Sequence, residues 1–387
     1  TLVLVVFMFT ILVAFGFVIA EVMEPGMGVL GAAAAFWLWF FHALCSYYMG
    51  DSFFLMASQA KKINKVDHPV FWNVVEEMTI ASGMGKMPDL YIIDDAAPNA
   101  FAVGRSPEKA AVAVTAGLLE TLTRDELQGV VAHELAHVQN RDSLYMMMMG
   151  TMLGIIVLIA EVVLRGRFRI SSRRGADNGG ILIVYLILLL FVLLSPILAH
   201  LIYYAVSRRR EYLADACSAL YTRYPEGLAS ALEKIAGSGR KLPMANKITA
   251  PLYIVNPLQM KGKKLSDLTS THPPTSERIR ILRAMGGGAG FAAYETAFRN
   301  VTGKPVGVIP HAALEEAPAV AAQAPEQPDT RSHVERAREA TDALWKTSNY
   351  TFVPCACNTM LKIPPAYQGL TIACPHCSKT HKVSGAA

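Results

Sequence analysis

The sequence predicts a mainly α-helical integral membrane protein of about four transmembrane helices, a small β-sheet in its water-soluble part and a small cysteine-bearing β domain at its C-terminal end. Three observations carry this. Hydrophobic residues make up 52% of the 387 and the mean hydropathy is +0.31, to the apolar side of ordinary soluble chains. Four long apolar runs punctuate the first half of the chain, and four of the six cysteines cluster near its end. The net charge of +5 is modest and the basic residues sit beside apolar runs, so no nucleic-acid partner is expected.

Residues 1–20 carry no charge, and residues 26–50 repeat the pattern with Trp37, Trp39, Tyr47 and Tyr48 towards one end. Each run is long enough to cross roughly 30 Å of hydrocarbon. The first lacks a basic n-region and is too long for a signal peptide, so it reads as a span. Residues 143–164, interrupted by Glu161, and 180–206, with Pro196 and His200, are the third and fourth candidates. The third would also suit a helix packed at the membrane surface. Residues 1–56 thus form two spans and residues 143–206 a helical hairpin.

Between these pairs, residues 57–142 read as the first part of a soluble domain. Asp67, His68 and Pro69 mark a helix start, with an end near Gly83 or Gly85. Short β-prone stretches follow at 90–93, 99–103 and 111–115, divided by turn-forming Asp, Pro, Gly and Ser. An edge strand of such a sheet either pairs with an extended substrate backbone or only buries the neighbouring helix.

That helix is the chemical centre of the chain. Thr123 with Glu126 makes a capping box, and Leu127, Val130, Val131, Leu135 and Val138 supply an apolar face. The helix carries HELAH. His133 and His137 stand one turn apart on the same face, and Glu134 lies about 100° around from them. Two imidazoles and a carboxylate can hold zinc with a position left for water, while a second carboxylate takes that water's proton. Glu134 is the candidate base. The competing reading is an amphipathic helix whose histidines merely face solvent.

A third ligand is sought where the fourth run ends, in SRRREYLADACSAL. Glu211 and Asp215, spaced i, i+4, share a helix face. Two crossings between His137 and Glu211 would return the chain to the same side, which favours Glu211 as ligand over a solvated face paired with Arg208, Arg209 and Arg210. Asp215 is placed to accept the second ring N–H of a ligating histidine.

HELAH, RREYLAD at 209–215, APNAFAVG at 97–104 and STHPPTSERIRIL at 270–282, in this order among four apolar runs, resemble the HtpX family of membrane-integrated zinc endopeptidases, relatives of the CAAX prenyl proteases. The resemblance covers residues 1–290. It implies a zincin-like catalytic domain, zinc on His133, His137 and Glu211, Glu134 as base, and a role in membrane-protein quality control. Residues 207–290 then form the second part of the peptidase domain. Asn99 and His272 fall in shared segments as candidates for substrate binding or support.

Past Arg283 the composition changes. Residues 291–350 read as a linker, rich in Ala, Pro and Glu over 304–330, followed by a short charged helix. In 351–387, Cys355 and Cys357 with Cys374 and Cys377 make two knuckles of a zinc ribbon, with His376 and His381 as possible substitutes and two disulfides as the competing reading. Two zinc ions are therefore expected, one catalytic and one structural. The loop between the first two spans holds Glu21 and Glu24 without Lys or Arg, whereas Lys61, Lys62, Lys65 and Arg141 flank the catalytic side. The five arginines over 165–174 point the other way. The family and the thiolates favour the cytoplasmic face of a prokaryotic inner membrane for both peptidase and ribbon.

The expected activity is endopeptidase cleavage of membrane-protein or other polypeptide substrates in the lipid bilayer's vicinity, with an unknown partner for the ribbon. A prenyl-protein processing peptidase and a non-catalytic zinc-binding adaptor are the alternatives.

Overall fold

The computed structural model describes residues 2–142, 144–145, 208–240, 253–255, 272–316, 319–324 and 329–383. The expected third and fourth spans lie outside the described residues, apart from 144–145.

Two antiparallel apolar helices open the chain, α1 (Leu2–Met23) and α2 (Gly28–Ala57). Glu21 closes the turn between them by accepting the backbone N–H groups of Gly26 and Gly28 at 3.0 and 2.9 Å. Among the described residues α2, at 30 residues, is the helix long and apolar enough to cross a membrane. The pair touches where a Cβ on Gly31 would stand 2.2 Å from the Gly16 carbonyl oxygen, the close backbone approach that small residues permit between lipid-embedded helices.

The sheet has the order β1 (Lys61–Lys62), β2 (Asp89–Ile93), β4 (Lys109–Thr115), β3 (Ala100–Ser106). β2 and β4 run parallel, while β3 and β1 are antiparallel to their neighbours. Strand alternation divides its side chains between two cores. Leu90, Ile92, Ala100, Ala102, Val112 and Val114 join the main core with helices α3 (Pro69–Ala81), α4 (Ala116–Thr121) and α5 (Arg124–Gln139). Ile93, Phe101, Val103, Ala111 and Ala113 face the other way and cluster with Phe54 of α2 and with Tyr253. One sheet therefore joins the apolar hairpin to the helix that carries HELAH.

Local sequence explains the boundaries. Pro69 stands at the start of α3 with His68 as N-cap, its Nδ1 accepting the Phe71 N–H at 3.1 Å. In α5 both halves of the expected capping box form between Thr123 and Glu126. The helix over 208–222 (α6) and α7 (Pro225–Gly237) complete the packing around α5. At Gly129 a Cβ would meet the Leu228 backbone nitrogen at 2.6 Å, so α5 and α7 come together only because that residue is glycine.

The C-terminal third differs from the sequence expectation. Helix α8 (Thr275–Arg283) does not end the main folded body. Tyr294 and Phe298 of α9 (Phe291–Thr302), then Val308 and Ile309, and Ala340, Ala343 and Leu344 of the last helix belong to the same main core. Between them lies a short helix, α10 (His311–Glu316). The described parts of the expected linker are tied down: Ala289 N donates to Val320 O at 2.8 Å and Gln323 N to Arg223 O at 2.8 Å. The last helix, α11 (His333–Thr347), starts with its own capping box at Ser332 and lies along α4. The physical reason is a few well-placed apolar residues in an Ala- and Pro-rich stretch, which bury without making a period.

Two hairpins finish the chain, β5 (Thr351–Pro354) with β6 (Met360–Ile363) and β7 (Thr371–Ala373) with β8 (Thr380–Lys382). Lys362 pairs with Asp342 and lies over the Trp345 ring at 4.3 Å, fixing the first hairpin to α11.

Candidate active site and metal centres

Helix α5 presents His133 and His137 towards α6, where Glu211 faces them. His133 Nε2 lies 3.1 Å from His137 Nε2 and 3.6 Å from Glu211 Oε2, and His137 Nε2 lies 3.4 Å from Glu211 Oε1. Ligand bonds of about 2.0 to 2.1 Å in a tetrahedron put neighbouring donors about 3.3 Å apart, so this donor set has the size of a zinc site. His133 and Glu211 are buried and His137 is half-buried. The residues fit the metal that the motif implies.

Each ligand candidate is held by a second group. His133 turns Nδ1 to Asp215 Oδ1 at 3.0 Å, and His137 turns Nδ1 to Asp142 Oδ2 at 3.1 Å. A carboxylate on the far ring nitrogen fixes tautomer and ring angle, so that each Nε2 would offer its lone pair to a metal shared with Glu211. Asp142 is itself paired with Arg210, whose guanidinium lies 4.0 Å over the Tyr145 ring. Asp215 is gripped by Arg278, which also donates from Nη1 to the Ile254 carbonyl at 3.1 Å and stands 3.4 Å from Glu211 Oε2.

Electrostatics follow from this ring of charges. Burial alone would raise the Glu211 carboxyl, but the charge of His272 and hydrogen bonds from His133 and His137 outweigh it and hold the group well below the ordinary carboxylate range. Burial also opposes charge on His137, yet its hydrogen bonds to Asp142 and Glu211 push it well above the ordinary imidazole value. Glu134 differs: burial dominates and raises its carboxyl, against the nearby histidines and a hydrogen bond from the Ala102 backbone. A base with a raised pKa is the type that takes a proton near neutrality.

Of the two further candidates, His272 joins the cluster, with Nδ1 2.9 Å from Glu211 Oε2. Asn99 does not. Its Nδ2 donates to the Val255 carbonyl at 3.0 Å and its Oδ1 accepts the Ala100 N–H at 3.1 Å, bracing residues 253–255 against the edge strand β3. Sequence reasoning missed Asp142, Arg210 and Arg278. Asp142 lies five residues past His137 and Arg278 inside the STHPPTSERIRIL segment, but only the folded contacts show what they face.

A second donor set lies in the terminal hairpins. Cys355, Cys357, Cys374 and Cys377 bring their sulfur atoms within 4.8 Å of one another. Cys355 Sγ and Cys377 Sγ are 3.4 Å apart, and Cys357 Sγ and Cys374 Sγ 3.6 Å. Those spacings are far from a disulfide's bond of about 2.05 Å and near the edge of about 3.8 Å expected for four thiolates on zinc. His381 Nε2 is 3.1 Å from Cys355 Sγ.

Comparison with known proteins adds family to geometry. The description "Peptidase family M48" matches residues 70–286. The chain is 44% identical over 260 residues to "Protease HtpX homolog" of Dictyoglomus turgidum, covering 67% of this chain and 84% of that one. It is 45% identical over 245 residues to the protein of the same description from Tropheryma whipplei strain Twist, covering 63% and 82%. Among solved structures, "Crystal Structure of S. mikatae Ste24p" aligns with a TM-score of 0.40 at 17% identity, covering 69% of this chain and 60% of that one.

Proposed function

The chain belongs to peptidase family M48, and from that premise we propose that it is an integral-membrane zinc endopeptidase that cuts membrane proteins, with His133, His137 and Glu211 as ligands and Glu134 as base. The protein is a metalloprotease. The observation that carries the residue assignment is the convergence of two Nε2 atoms and one carboxylate at 3.1, 3.4 and 3.6 Å beside a buried glutamate.

Bound zinc supplies an electrophile for the scissile carbonyl and a water of lowered pKa. The chain's own residues do the rest. Glu134, held by the Ala102 backbone, takes a proton from the attacking water and delivers it to the leaving amine. Asp215 and Asp142 keep His133 and His137 in the ligating tautomer. The carbonyl of Ala100 is already taken by Ile254 N at 3.0 Å and the Ala102 N–H faces Glu134, so an extended substrate backbone would pair with β3 from the Ala102 carbonyl onward.

The finer reading has four spans, a prokaryotic inner membrane location, and a cytoplasmic peptidase and zinc ribbon. The apolar α1 and α2, the lysines just past α2 and the cluster of four thiols near the C-terminus support it. The resemblance to the HtpX family implies a role in membrane-protein quality control, which this reading carries to the chain as a proposal. The metal assignment is tested by zinc analysis of Glu211→Ala: loss of one zinc per chain is expected, and full metal content would move the ligand role to another carboxylate.

A further inference from the structure

The strand beside the active site also reaches the apolar hairpin, so its two ends relate catalysis to the membrane. Phe101, Val103 and Arg105 alternate onto the face of β3 that meets α2, while Ala102 faces the helix bearing Glu134. The ladder pairs Gly104 with Ala110 and Ser106 with Lys109, so Arg105 is the extra residue of a β-bulge. Gly104 makes the bulge possible: its φ is +149°, and a Cβ there would stand 2.4 Å from the Lys109 carbonyl oxygen. The guanidinium of Arg105 lies over the rings of Tyr47 and Tyr48, 5.5 and 5.0 Å from their centres. No carboxylate pairs with it among the described residues.

Tyr47 and Tyr48 lie where α2 should leave the hydrocarbon. Twenty residues of helix span about 30 Å, and counted from Gly28 they end at this pair. Asp51 is the first carboxylate or basic group along α2 after it, and tyrosines concentrate at membrane interfaces. Beyond the pair, six residues of helix, about 9 Å, bring α2 to Phe54, which packs with Phe101. On the strand, Phe101 to Arg105 is four steps, about 13 Å. The two rulers agree to within about 4 Å. Along β3, Ala102, which packs against the helix bearing Glu134, is three steps or about 10 Å from Arg105.

We propose that Arg105, seated on Tyr47 and Tyr48, binds lipid phosphate at the bilayer surface and sets the catalytic carboxylate about 10 Å above it, so that the enzyme cuts membrane-protein segments close to where they leave the bilayer. A substrate strand leaving the membrane needs about three extended residues to reach that height. Bonds nearer the membrane stay out of reach, and more distant ones depend on the chain folding back. The proposal rests on the metalloprotease reading for its substrate class, but its geometry does not.

The test uses the full chain in vesicles of phosphatidylglycerol and phosphatidylcholine. A single-span substrate with a uniform Gly-Ser-Ala segment after its last apolar residue is cut, and the bonds are mapped by mass spectrometry. Cleavage should start about three residues from the membrane and fall off beyond about ten. Even cutting along the segment, or a start within the first residue, would overturn the proposal. Cleavage of a soluble peptide by the same vesicles tests the protease reading separately. The depth is read without catalysis from a fluorophore on Ser106→Cys in a Cys45→Ser background. Headgroup nitroxide lipids should quench it most, and Arg105→Glu should weaken that quenching at least about twofold. Quenching mainly by mid-chain nitroxides, or by neither, would contradict the assigned depth.

Discussion

Arg278 grips Asp215 through two parallel hydrogen bonds, Nε to Oδ2 at 2.8 Å and Nη2 to Oδ1 at 2.6 Å, and the same Oδ1 faces His133 Nδ1 at 3.0 Å. Both partners are buried, so the charge on Asp215 is sustained by Arg278 and passed to the imidazole as orientation.

Arg278→Met should therefore act on metal binding and on folding together. Removing one partner of a buried pair costs about 3 to 5 kcal/mol, and losing support for a ligand weakens zinc affinity about 10 to 100-fold. Competition with a chromophoric chelator and thermal denaturation in detergent measure both. Arg278→Lys, which cannot make the two parallel bonds, should recover stability more than affinity.

A pH dependence is expected at His68. Burial, then the charge of Arg331, lowers its pKa from 6.5 to about 4, and its Nδ1 must stay unprotonated to accept the Phe71 N–H. The folded value lies below the unfolded one, so the unfolded chain binds the extra proton. The contribution is full above about pH 6.5 and is lost as pH falls towards 4, by up to about 3 kcal/mol. Melting temperatures across this window should fall less in His68→Asn, which keeps a capping side chain without a titrating ring. Equal slopes would dismiss His68 as the source.

The C-terminal segment should prove part of the enzyme body. Asp329 Oδ2 accepts the Arg124 N–H at 3.0 Å, adding a second cap to the start of α5, and Arg331 pairs with the same carboxylate. Asp329→Ala should cost about 1 kcal/mol, as cap losses do. Truncation after residue 290 removes Tyr294, Phe298 and Leu344 from the core and should leave no folded peptidase, whereas truncation after 350 should preserve peptide cleavage. An active 1–290 fragment would show the added helices to be dispensable.

Much of the site is local enough to read from sequence. HELAH on a capped helix depends on spacings of three and four residues, and Glu211 with Asp215 on one such spacing. Arg278 is different: it meets Asp215 across 63 residues and His133 across 145, and no periodicity encodes such a contact. The strands are legible as β-prone stretches divided by turn-forming residues, but the division of β3 between two cores depends on what packs against each face. Residues 304–330 look like a linker because alanine and proline dominate, while Val308 and Ile309 fill a gap that exists only after α9 has docked.

The four sulfur atoms predict a metal count. Cys374→Ser should leave one zinc of two and unfold the segment after about residue 350, because a structural zinc supplies on the order of 10 kcal/mol to a ribbon with little core. A wild-type content of one zinc per chain would refute the second site.

The most direct measurement is hydrolysis of a membrane-protein substrate by Glu134→Gln with its zinc counted in the same sample. The side chain keeps its size and its place against Ala102 but cannot take a proton, so turnover should fall about 10² to 10⁴-fold with the metal content unchanged. Wild-type turnover by a zinc-loaded Glu134→Gln enzyme would contradict the assignment of base and site alike.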